Sequence, residues 1–230
     1  MLISLKDAVV TAEIFKTASA PSLTEITGFS SLLKIEKGQH LFLDKEEVKS
    51  IYILIKGRAS LYKLNSLGEK KVIFVYGEGN MLNEVMFQDL PASINCEMLE
   101  DSIVLVMPVS RLWHVMENDS GLTKAVLDSM ALKIRRLYRQ LKNTTNDLNG
   151  EKRLAAKLYK LSKDYGIKQE DGICIDLNLT ITFLAEMLGS KRETVSRQAK
   201  KLVDMQLLII QKNKFIIPDQ QKLNEFFKKP

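Results

Sequence analysis

The hydrophobic pattern of this chain changes its period once, near Pro108, and that change limits the folds open to it. From about residue 30 to 107, short runs of β-branched and aromatic residues alternate with glycine-containing turns. The runs are LLKIEKGQHLFL, SIYILIKGRASLYKLN, KKVIFVYG and SIVLVMP. Turn signals at a spacing of roughly 8 to 12 residues are typical of an antiparallel roll, barrel or sandwich. The sequence therefore predicts a β domain in the first half of the chain.

A helical pattern follows Pro108. Apolar residues recur there at steps of three or four, the spacing of one helix face: Val126, Met130, Ile134, Leu137 and Leu141. The opposite face carries cations: Lys133, Arg135, Arg136, Arg139 and Lys142. The pattern predicts an amphipathic helix of roughly 25 residues that starts near Asp119 or Ser120 as its N-cap. Its apolar face either packs along its own domain or forms a two-stranded coiled-coil seam with a second copy.

A second domain is predicted beyond this helix. The polar stretch KNTTNDLNG at 142–150 has the composition of a linker. The elements predicted after it are a helix at about 151–165, a strand at 173–177, two short helices around 180–204 and a hairpin at 207–218. Three helices followed by a two-stranded wing is the element order of a winged-helix domain.

The segment LTITFLAEMLGSKRETVSRQAKKL at 179–202 has the spacing of a helix-turn-helix. Ala185 is small enough to let a second helix cross the first, and Gly189 tolerates the left-handed φ of the turn. Val195 supplies the apolar side chain that the second helix must turn inward. Because these three residues stand four and six positions apart, the sequence predicts this DNA-binding motif.

The start of the second helix is predicted from Ser190 and Glu193, which have capping-box spacing and place the first helical residue at Lys191. In that register, the residues that project from the first two turns, on the side away from the apolar residues, are Arg192, Glu193, Ser196 and Arg197. Arginine pairs with guanine O6 and N7 in the major groove, and glutamate accepts from cytosine N4. Such a helix is suited to the major groove of DNA.

The positive charge lies toward the C-terminal end. Residues 1–145 hold 18 Lys and Arg against 17 Asp and Glu, whereas residues 146–230 hold 16 against 11. Nearly all of the formal net charge of +6 is therefore in the last third of the chain. A basic module joined to a neutral one favours a polyanionic partner for the C-terminal part.

The sequence disfavours several other classes of protein. Cys96 and Cys174 are the only cysteines, too few for a disulfide framework or an iron–sulfur cluster. With two histidines and neither GxSxG nor a phosphate-binding GxxxxGKS or GxxxxGKT, we predict that the protein is not an enzyme. No apolar stretch approaches the ~20 residues of a membrane span. The N-terminus lacks a secretory signal, so the predicted location is cytoplasmic.

The string GSKRETVSR at 189–197 resembles the recognition helix of the Crp/Fnr family of bacterial transcription regulators. The order of β domain, long helix and winged helix resembles that family over nearly the full chain. The resemblance implies an α+β fold: an N-terminal cyclic-nucleotide-binding-like β-roll, a long dimerisation helix and a C-terminal winged helix-turn-helix. The implied domain bounds are 1–118 for the β-roll sensor domain with its N-terminal segment, 119–145 for the dimerisation helix and 146–230 for the DNA-binding domain.

The same resemblance places the DNA contacts on the second helix of the motif. The implied DNA-binding residues are Lys191, Arg192, Glu193, Thr194, Ser196, Arg197 and Lys200. Arg192, Glu193 and Arg197 would contact bases, and Ser196 a base or a phosphate. Gln198 departs from the family's pattern, because that position is usually apolar.

The protein implied by the resemblance is a homodimeric, sequence-specific DNA-binding transcription regulator with an effector-sensing N-terminal domain. Its implied partners are double-stranded DNA with a palindromic operator, a second copy of the chain and RNA polymerase, with no membrane partner. Two alternatives stay open. One is a constitutively active regulator without a small-molecule effector, and the other is a haem-based gas sensor of the same family that would use His40 or His114.

The resemblance leaves the effector open, and no cofactor is assigned. Relatives that bind cyclic AMP hold the ribose with a glycine and a glutamate, and the phosphate with an arginine and a small hydroxyl residue. Here the segment 79–97 offers Asn83, Glu84 and Ser93 as pocket residues but contains no Lys or Arg. A cyclic phosphate would meet no cation from this segment, although one could arrive from Arg135 or Arg136. We predict that cyclic AMP is not the effector and that Glu84 is a hydrogen-bonding or surface acid rather than a ribose ligand.

Overall fold

A computed structural model describes residues 3–145, 149–211 and 214–228. The chain falls into two compact units. The first comprises Met1–Lys63 and Ile73–Gln140, and the second comprises Leu64–Val72 and Leu141–Pro230. Residues 64–72, the tip of a hairpin in the β region, thus belong with the C-terminal unit. The sequence pattern gives no sign of this.

Two antiparallel sheets build the roll. The strands are β1 (Ser31–Ile35), β2 (His40–Phe42), β3 (Ser50–Lys56), β4 (Ala59–Leu64), β5 (Lys70–Tyr76), β6 (Asn95–Met98) and β7 (Ser102–Pro108). Their order is β1–β7–β3 in one sheet and β2–β6–β4–β5 in the other. Side chains alternate between the two sides of a strand, so each apolar run turns one row into the interior. Fully buried members are Phe42, Ile53, Met98 and Leu105. The predicted β domain is confirmed.

The N-terminal segment adds helices that the sequence pattern did not predict. They are α1 (Leu5–Thr11) and α2 (Ala20–Phe29), with a short 3₁₀ helix at Glu13–Phe15 between them. Each α-helix starts at a serine N-cap, Ser4 or Ser19, whose hydroxyl accepts a hydrogen bond from a backbone N–H of the first turn. Both are too short to show a clear helical period. Their apolar side chains complete the core of the roll: Ala8, Val9, Ile14, Phe15 and Ile26.

Two further helices follow the last strand, α3 (Val109–Asn118) and α4 (Ser120–Thr145). Asp119 lies between them and accepts hydrogen bonds from the backbone N–H groups of Ser19, at 2.8 Å, and Leu122, at 2.9 Å. These bonds hold the pKa of the Asp119 carboxyl well below its usual range. The predicted start of the long helix near Asp119 or Ser120 is confirmed, and the same carboxylate also ties down the start of α2.

The apolar stripe predicted on α4 is covered by the roll only in its first part. Val126 is buried and Met130 packs against the core of the roll. The rest are exposed and are joined by two residues that the predicted stripe omits. We call this set the exposed apolar face of α4: Leu127, Ile134, Leu137, Tyr138 and Leu141. The members that meet the roll come first along the helix, and the later members of the stripe are exposed.

The second unit has four helices and a four-stranded sheet among its described residues. The helices are α5 (Gly150–Asp164), α6 (Ile181–Leu188), α7 (Arg192–Asp204) and α8 (Gln220–Lys228). The strands, in the sheet order β10–β11–β9–β8, are β10 (Ile209–Gln211), β11 (Lys214–Ile217), β9 (Gly172–Ile175) and β8 (Gly166–Gln169). The core is made by buried side chains from every helix: Leu154, Leu158, Leu184, Val195, Leu202 and Leu223. The predicted winged-helix order is confirmed, while β8 and α8 were not predicted.

The predicted linker at 142–150 is replaced in part by helix. Helix α4 continues to Thr145, and α5 begins at Gly150 with Asn149 as its N-cap. The middle of the predicted linker, 146–148, lies outside the described residues. Within the described part of the chain, no helix combines the length and the hydrophobicity needed to cross a bilayer.

Candidate nucleic-acid interface and roll interior

The turn between α6 and α7 has the geometry that its sequence predicts. Gly189 ends α6 with a left-handed φ of +61°, a conformation that costs glycine little. Its N–H and that of Ser190 both point back to the carbonyl of Ala185. Ala185 and Val195 are buried where the two helices meet. The local spacing of small, glycine and apolar residues therefore fixes this motif.

The predicted capping box at the start of α7 is wrong. The helix begins at Arg192, and its N-cap is Lys191, which makes no side-chain capping bond. Ser190 closes α6 instead, because its N–H donates to the carbonyl of Ala185 at 3.0 Å. The first turn of α7 consequently keeps backbone N–H groups that no N-cap side chain satisfies.

Helix α7 has a buried side and an exposed side. The buried side consists of Val195, Ala199 and Leu202. Six of the seven predicted DNA-binding residues are exposed, namely Lys191, Arg192, Glu193, Ser196, Arg197 and Lys200. Thr194 is half-buried. Five of the predicted residues therefore lie together on the side of α7 that faces away from the core: Arg192, Glu193, Ser196, Arg197 and Lys200.

Gln198, the departure from the family's pattern, packs against the start of α5. A Cβ added at Gly150 would collide with the Gln198 amide, so the two residues are fitted to each other. Three residues further along α7, the Lys201 ammonium lies 2.5 Å from the Glu151 carboxylate. This hydrogen bond lowers the pKa of Glu151, which is largely buried. Gln198 and Lys201 thus both meet the start of α5, Gln198 by close packing and Lys201 by an ion pair.

Two cations cap the end of α6, and sequence reasoning missed both. Lys71 Nζ donates to the carbonyl of Met187 at 3.1 Å, and an Arg153 guanidinium N–H donates to that of Leu188 at 3.0 Å. These carbonyls are left without helical partners at a C-terminus, where cations are favoured. Burial, and then the charge of Arg153, lower the pKa of Lys71. Lys71 and Met187 are 116 residues apart, so no local signal could have paired them.

Asn83 was predicted to line an effector pocket, but its side-chain amide is hydrogen-bonded to the backbone of β3. Its Oδ1 accepts from the N–H of Tyr52 and its Nδ2 donates to the carbonyl of Ser50, each at 2.8 Å. The side chain is buried. Asn83 therefore anchors the segment after Met81 to the roll.

Glu84 is a buried acid held by the long helix. Its carboxylate accepts from the Ser129 hydroxyl at 2.9 Å and from the Lys133 ammonium. Lys133 also donates to the carbonyl of Met81 at 2.8 Å and lies 4.6 Å from the centroid of the Tyr76 ring. Burial lowers the pKa of Lys133, and Glu84 opposes that shift. The expected hydrogen-bonding role of Glu84 matches these contacts, whereas the placement of Lys133 on a face opposite the apolar residues is wrong.

The other residues considered for an effector lie at the surface. Ser93 is exposed, while Glu84 is buried. His40 is exposed, with Nε2 2.8 Å from the Tyr62 hydroxyl. The His114 side chain is 67% exposed and 3.6 Å from Glu117. The structure does not gather these residues around one interior site.

Arg135 and Arg136 were the two residues of the long helix considered as a cation for the interior, and neither is paired with Glu84 in the contacts of the described residues. Arg135 is exposed, and the guanidinium of Arg136 lies 6.0 Å from the Tyr76 ring centroid. The α4 cation that pairs with Glu84 is instead Lys133. Across the described residues, no group of three or more His, Cys, Asp or Glu side chains is arranged to hold a metal ion.

Comparison with known protein families agrees with both halves of the fold. Residues 152–226 match the family described as a Crp-like helix-turn-helix domain, and residues 32–119 match the cyclic nucleotide-binding domain. Together these domains define a DNA-binding regulator with a sensor domain of the cyclic-nucleotide-binding type. The chain belongs to the Crp/Fnr family of transcription regulators. Members of this family are generally not enzymes.

Individual relatives support the same assignment. The chain is 27% identical over 175 residues to the anaerobic regulatory protein of Bacillus subtilis, covering 75% of this chain and 73% of that protein. It is 23% identical over 197 residues to the global nitrogen regulator of Synechococcus elongatus, covering 84% and 88%. A CooA mutant from Carboxydothermus hydrogenoformans shares the fold with a TM-score of 0.77 at 19% identity, covering 99% of this chain and 97% of that one. The chain is thus a transcription regulator with a DNA-binding helix-turn-helix and an effector-sensing type of domain.

Proposed function

We propose that this regulator is a cytoplasmic homodimer that binds a palindromic operator through α7 and acts with RNA polymerase, by binding rather than by catalysis. The observation that carries the proposal is the division of α7 into a buried apolar side and an exposed polar side. A helix docked in this way can enter a major groove without losing its contacts to the domain. The proposed parts are the sensor domain at 1–118, the dimerisation helix at 119–145 and the DNA-binding domain at 146–230.

The exposed side chains of α7 and the N–H groups of its first turn both suit DNA. Arg192, Glu193 and Arg197 offer the donors and acceptors that distinguish base pairs in the major groove. The remaining predicted residues contact a base or a phosphate: Lys191, Thr194, Ser196 and Lys200. Because no N-cap side chain satisfies the first turn of α7, its N–H groups can also meet a phosphate oxygen.

The exposed apolar face of α4 supports the homodimer. Leu127, Ile134 and Leu141 stand seven residues apart, and Leu137 lies between the last two, which is the a/d spacing of a coiled coil. Their exposed fractions are 59%, 47%, 63% and 38% in that order. A second α4 would remove this apolar surface from water.

A symmetric dimer explains why the operator should be palindromic. Two recognition helices related by a two-fold axis contact two half-sites of inverted sequence, about 34 Å apart along the DNA. An effector would act by shifting the population toward dimers whose recognition helices have that spacing.

We propose that the effector is not cyclic AMP. A buried phosphodiester needs a cation or several aimed N–H donors. The cation closest to this role, Lys133, is already paired with Glu84. That same pairing favours the second candidate, a constitutive regulator without a small-molecule effector, whereas the surface positions of His40 and His114 do not support the haem alternative.

Selection from a random double-stranded DNA library tests the proposal. The purified full chain should enrich sequences with two inverted half-sites whose centres are about one helical turn apart. Titration of the selected site, with and without a cell extract of small molecules, separates the effector-dependent regulator from the constitutive one. If the DNA that the protein retains showed no preferred sequence, the proposal would be contradicted.

A further inference from the structure

We propose that the Glu84 carboxylate serves the long helix as a built-in anionic ligand, which fixes α4 on the roll without a bound small molecule. The inference rests on the proposed function, since it states how the sensor domain of a DNA-binding regulator is held. The site formed by Ser129 and Lys133 takes a carboxylate, and the chain itself supplies one.

The contacts around Glu84 satisfy both of its oxygens and the cation that faces it. Ser129 donates to one carboxylate oxygen at 2.9 Å, and Lys133 donates to the other. The Lys133 ammonium has two further partners in the roll, the carbonyl of Met81 at 2.8 Å and the face of Tyr76 at 4.6 Å. The Glu84 side chain is 4% exposed and that of Lys133 is 17% exposed. The pair is therefore shielded from solvent and from salt.

The pair belongs to a row of polar contacts along one side of α4. Ser129, Lys133 and Gln140 lie at positions i, i+4 and i+11, which share one side of a helix. Gln140 Nε2 donates to the carbonyl of Ile73 at 2.8 Å. Val126 and Met130 pack against the core of the roll beside this row. A shift of α4 by one turn would break these contacts together, so the row sets the position of the helix along the roll.

Because Glu84 and Lys133 are charged, their contact contributes most to holding α4 on the roll. A buried ion that loses its partner keeps the cost of leaving water and loses the attraction that offset it. Removing Glu84 leaves Lys133 with one carbonyl and an aromatic face, and the cheapest response is for α4 to open and let the ammonium reach water. The register of the helix is thus coupled to the presence of a carboxylate at this point.

Truncation of Glu84 creates a vacancy of known shape. Glu84→Ala removes one methylene and the carboxylate, which are the atoms of an acetate ion. Acetate supplied in solution should therefore bind between Ser129 and Lys133 and take over the role of the missing side chain. Acetamide has nearly the same shape but no charge, so it separates a charged ligand from a space filler.

The experiment measures hydrogen exchange of the amides at 129–140 in the full chain, together with affinity for the selected operator. In Glu84→Ala, we expect exchange in this segment to accelerate by at least about 100-fold and operator affinity to fall. Acetate at tens of millimolar should slow the exchange and restore affinity. Acetamide, or chloride at the same ionic strength, should do neither.

A matched control lies on the same helix. Lys124 and Asp128 form an exposed ion pair, with side chains 74% and 66% exposed. Asp128→Ala removes a carboxylate from α4 without touching the roll, and we expect no change in exchange and no response to acetate. Glu84→Gln keeps the volume of the side chain and carries the test if Glu84→Ala does not fold. It should accelerate exchange less than truncation does.

The outcomes separate this inference from the proposed function. Unchanged exchange in both Glu84 variants, or equal rescue by acetate and acetamide, would overturn the inference while leaving operator binding by the wild type intact. Acetate-dependent exchange in a protein that selects no operator would support the inference and contradict the proposed function.

Discussion

Lys201 and Glu151 form an ion pair of 2.5 Å that joins the last turn of α7 to the first turn of α5. Lys200, the preceding residue, is exposed. Adjacent lysines on the proposed recognition helix therefore have different tasks. Lys201 fastens the helix to its domain, whereas Lys200 is exposed and is proposed to contact DNA.

These tasks predict different effects of removing each lysine. Lys201→Ala leaves the largely buried Glu151 carboxylate without its partner and should lower the free energy of unfolding by about 1 kcal/mol. In a protein of this size that corresponds to a fall of about 2–4 °C in the melting temperature. Lys200→Ala should leave melting unchanged and lower the salt dependence of DNA binding by about one charge. Equal effects of the two changes on melting would contradict this assignment.

Arg192 is predicted to contact a guanine. Arg192→Ala should weaken operator binding by about 1–3 kcal/mol and relax the preference at one base pair. Lys222→Ala, which removes an exposed cation from α8 in the same domain, is the matched control and should preserve base preference. Affinity and selected sequence are measured together by binding-site selection. An Arg192→Ala variant with unaltered base preference would mean that α7 is docked differently.

The exposed apolar face of α4 is predicted to hold the dimer. Ile134→Glu should yield monomers in sedimentation, because a buried seam cannot accommodate two facing carboxylates. Leu132 offers a matched control: it is 48% exposed against 47% for Ile134 and lies two residues away, about 200° around the helix. Leu132→Glu should remain dimeric. A wild-type chain that sediments as a monomer at tens of micromolar would refute the proposed seam.

Cyclic AMP is predicted to produce neither heat in calorimetric titration nor a rise in melting temperature at millimolar concentration. The reason is that the cyclic phosphate would have to compete with Glu84 for Lys133. Cyclic GMP carries the same phosphate and should behave in the same way. Saturable binding at micromolar concentration that also tightened operator binding would show that the interior accepts a nucleotide after all.

Cys96 is predicted to be unreactive in the folded protein. Burial raises the pKa of its thiol to about 12, so at neutral pH there is almost no thiolate to attack a labelling reagent. The unfolded thiol ionises near pH 9. The unfolded state therefore loses its proton first, and stability falls as the pH rises from about 9 toward 12. Thiol labelling should be complete only in denaturant; rapid labelling of native Cys96 at pH 8 would contradict the burial.

The helix-turn-helix could be predicted from sequence because its determinants are local. Ala185, Gly189 and Val195 act within one turn and two short helices, so their spacing carries the geometry. The predicted capping box is absent from the structure for a related reason. Ser190 sits between two helices that compete for it, and the end of α6 takes its N–H. Residue spacing alone cannot decide such a competition.

The contacts of the roll interior could not be predicted because they join distant parts of the chain. Glu84 and Lys133 are 49 residues apart. The helical period predicts Lys133 on the face opposite the apolar stripe of α4, whether that stripe meets the roll or a second helix. In the structure the roll meets α4 at the edge of that stripe, and the interior beside it is polar enough to take an ammonium. The helical period locates the apolar arc of α4 but does not show which part of it the roll covers.

The two sides of α7 have a consequence for how such a regulator can change over evolutionary time. The residues that hold the helix in its domain, Val195, Ala199 and Leu202, are not the ones it presents outward. Substitutions at exposed positions such as Arg192 and Arg197 leave that packing intact and cost little stability. A lineage carrying this fold can therefore acquire new target genes through single substitutions without first evolving a compensating change in the core.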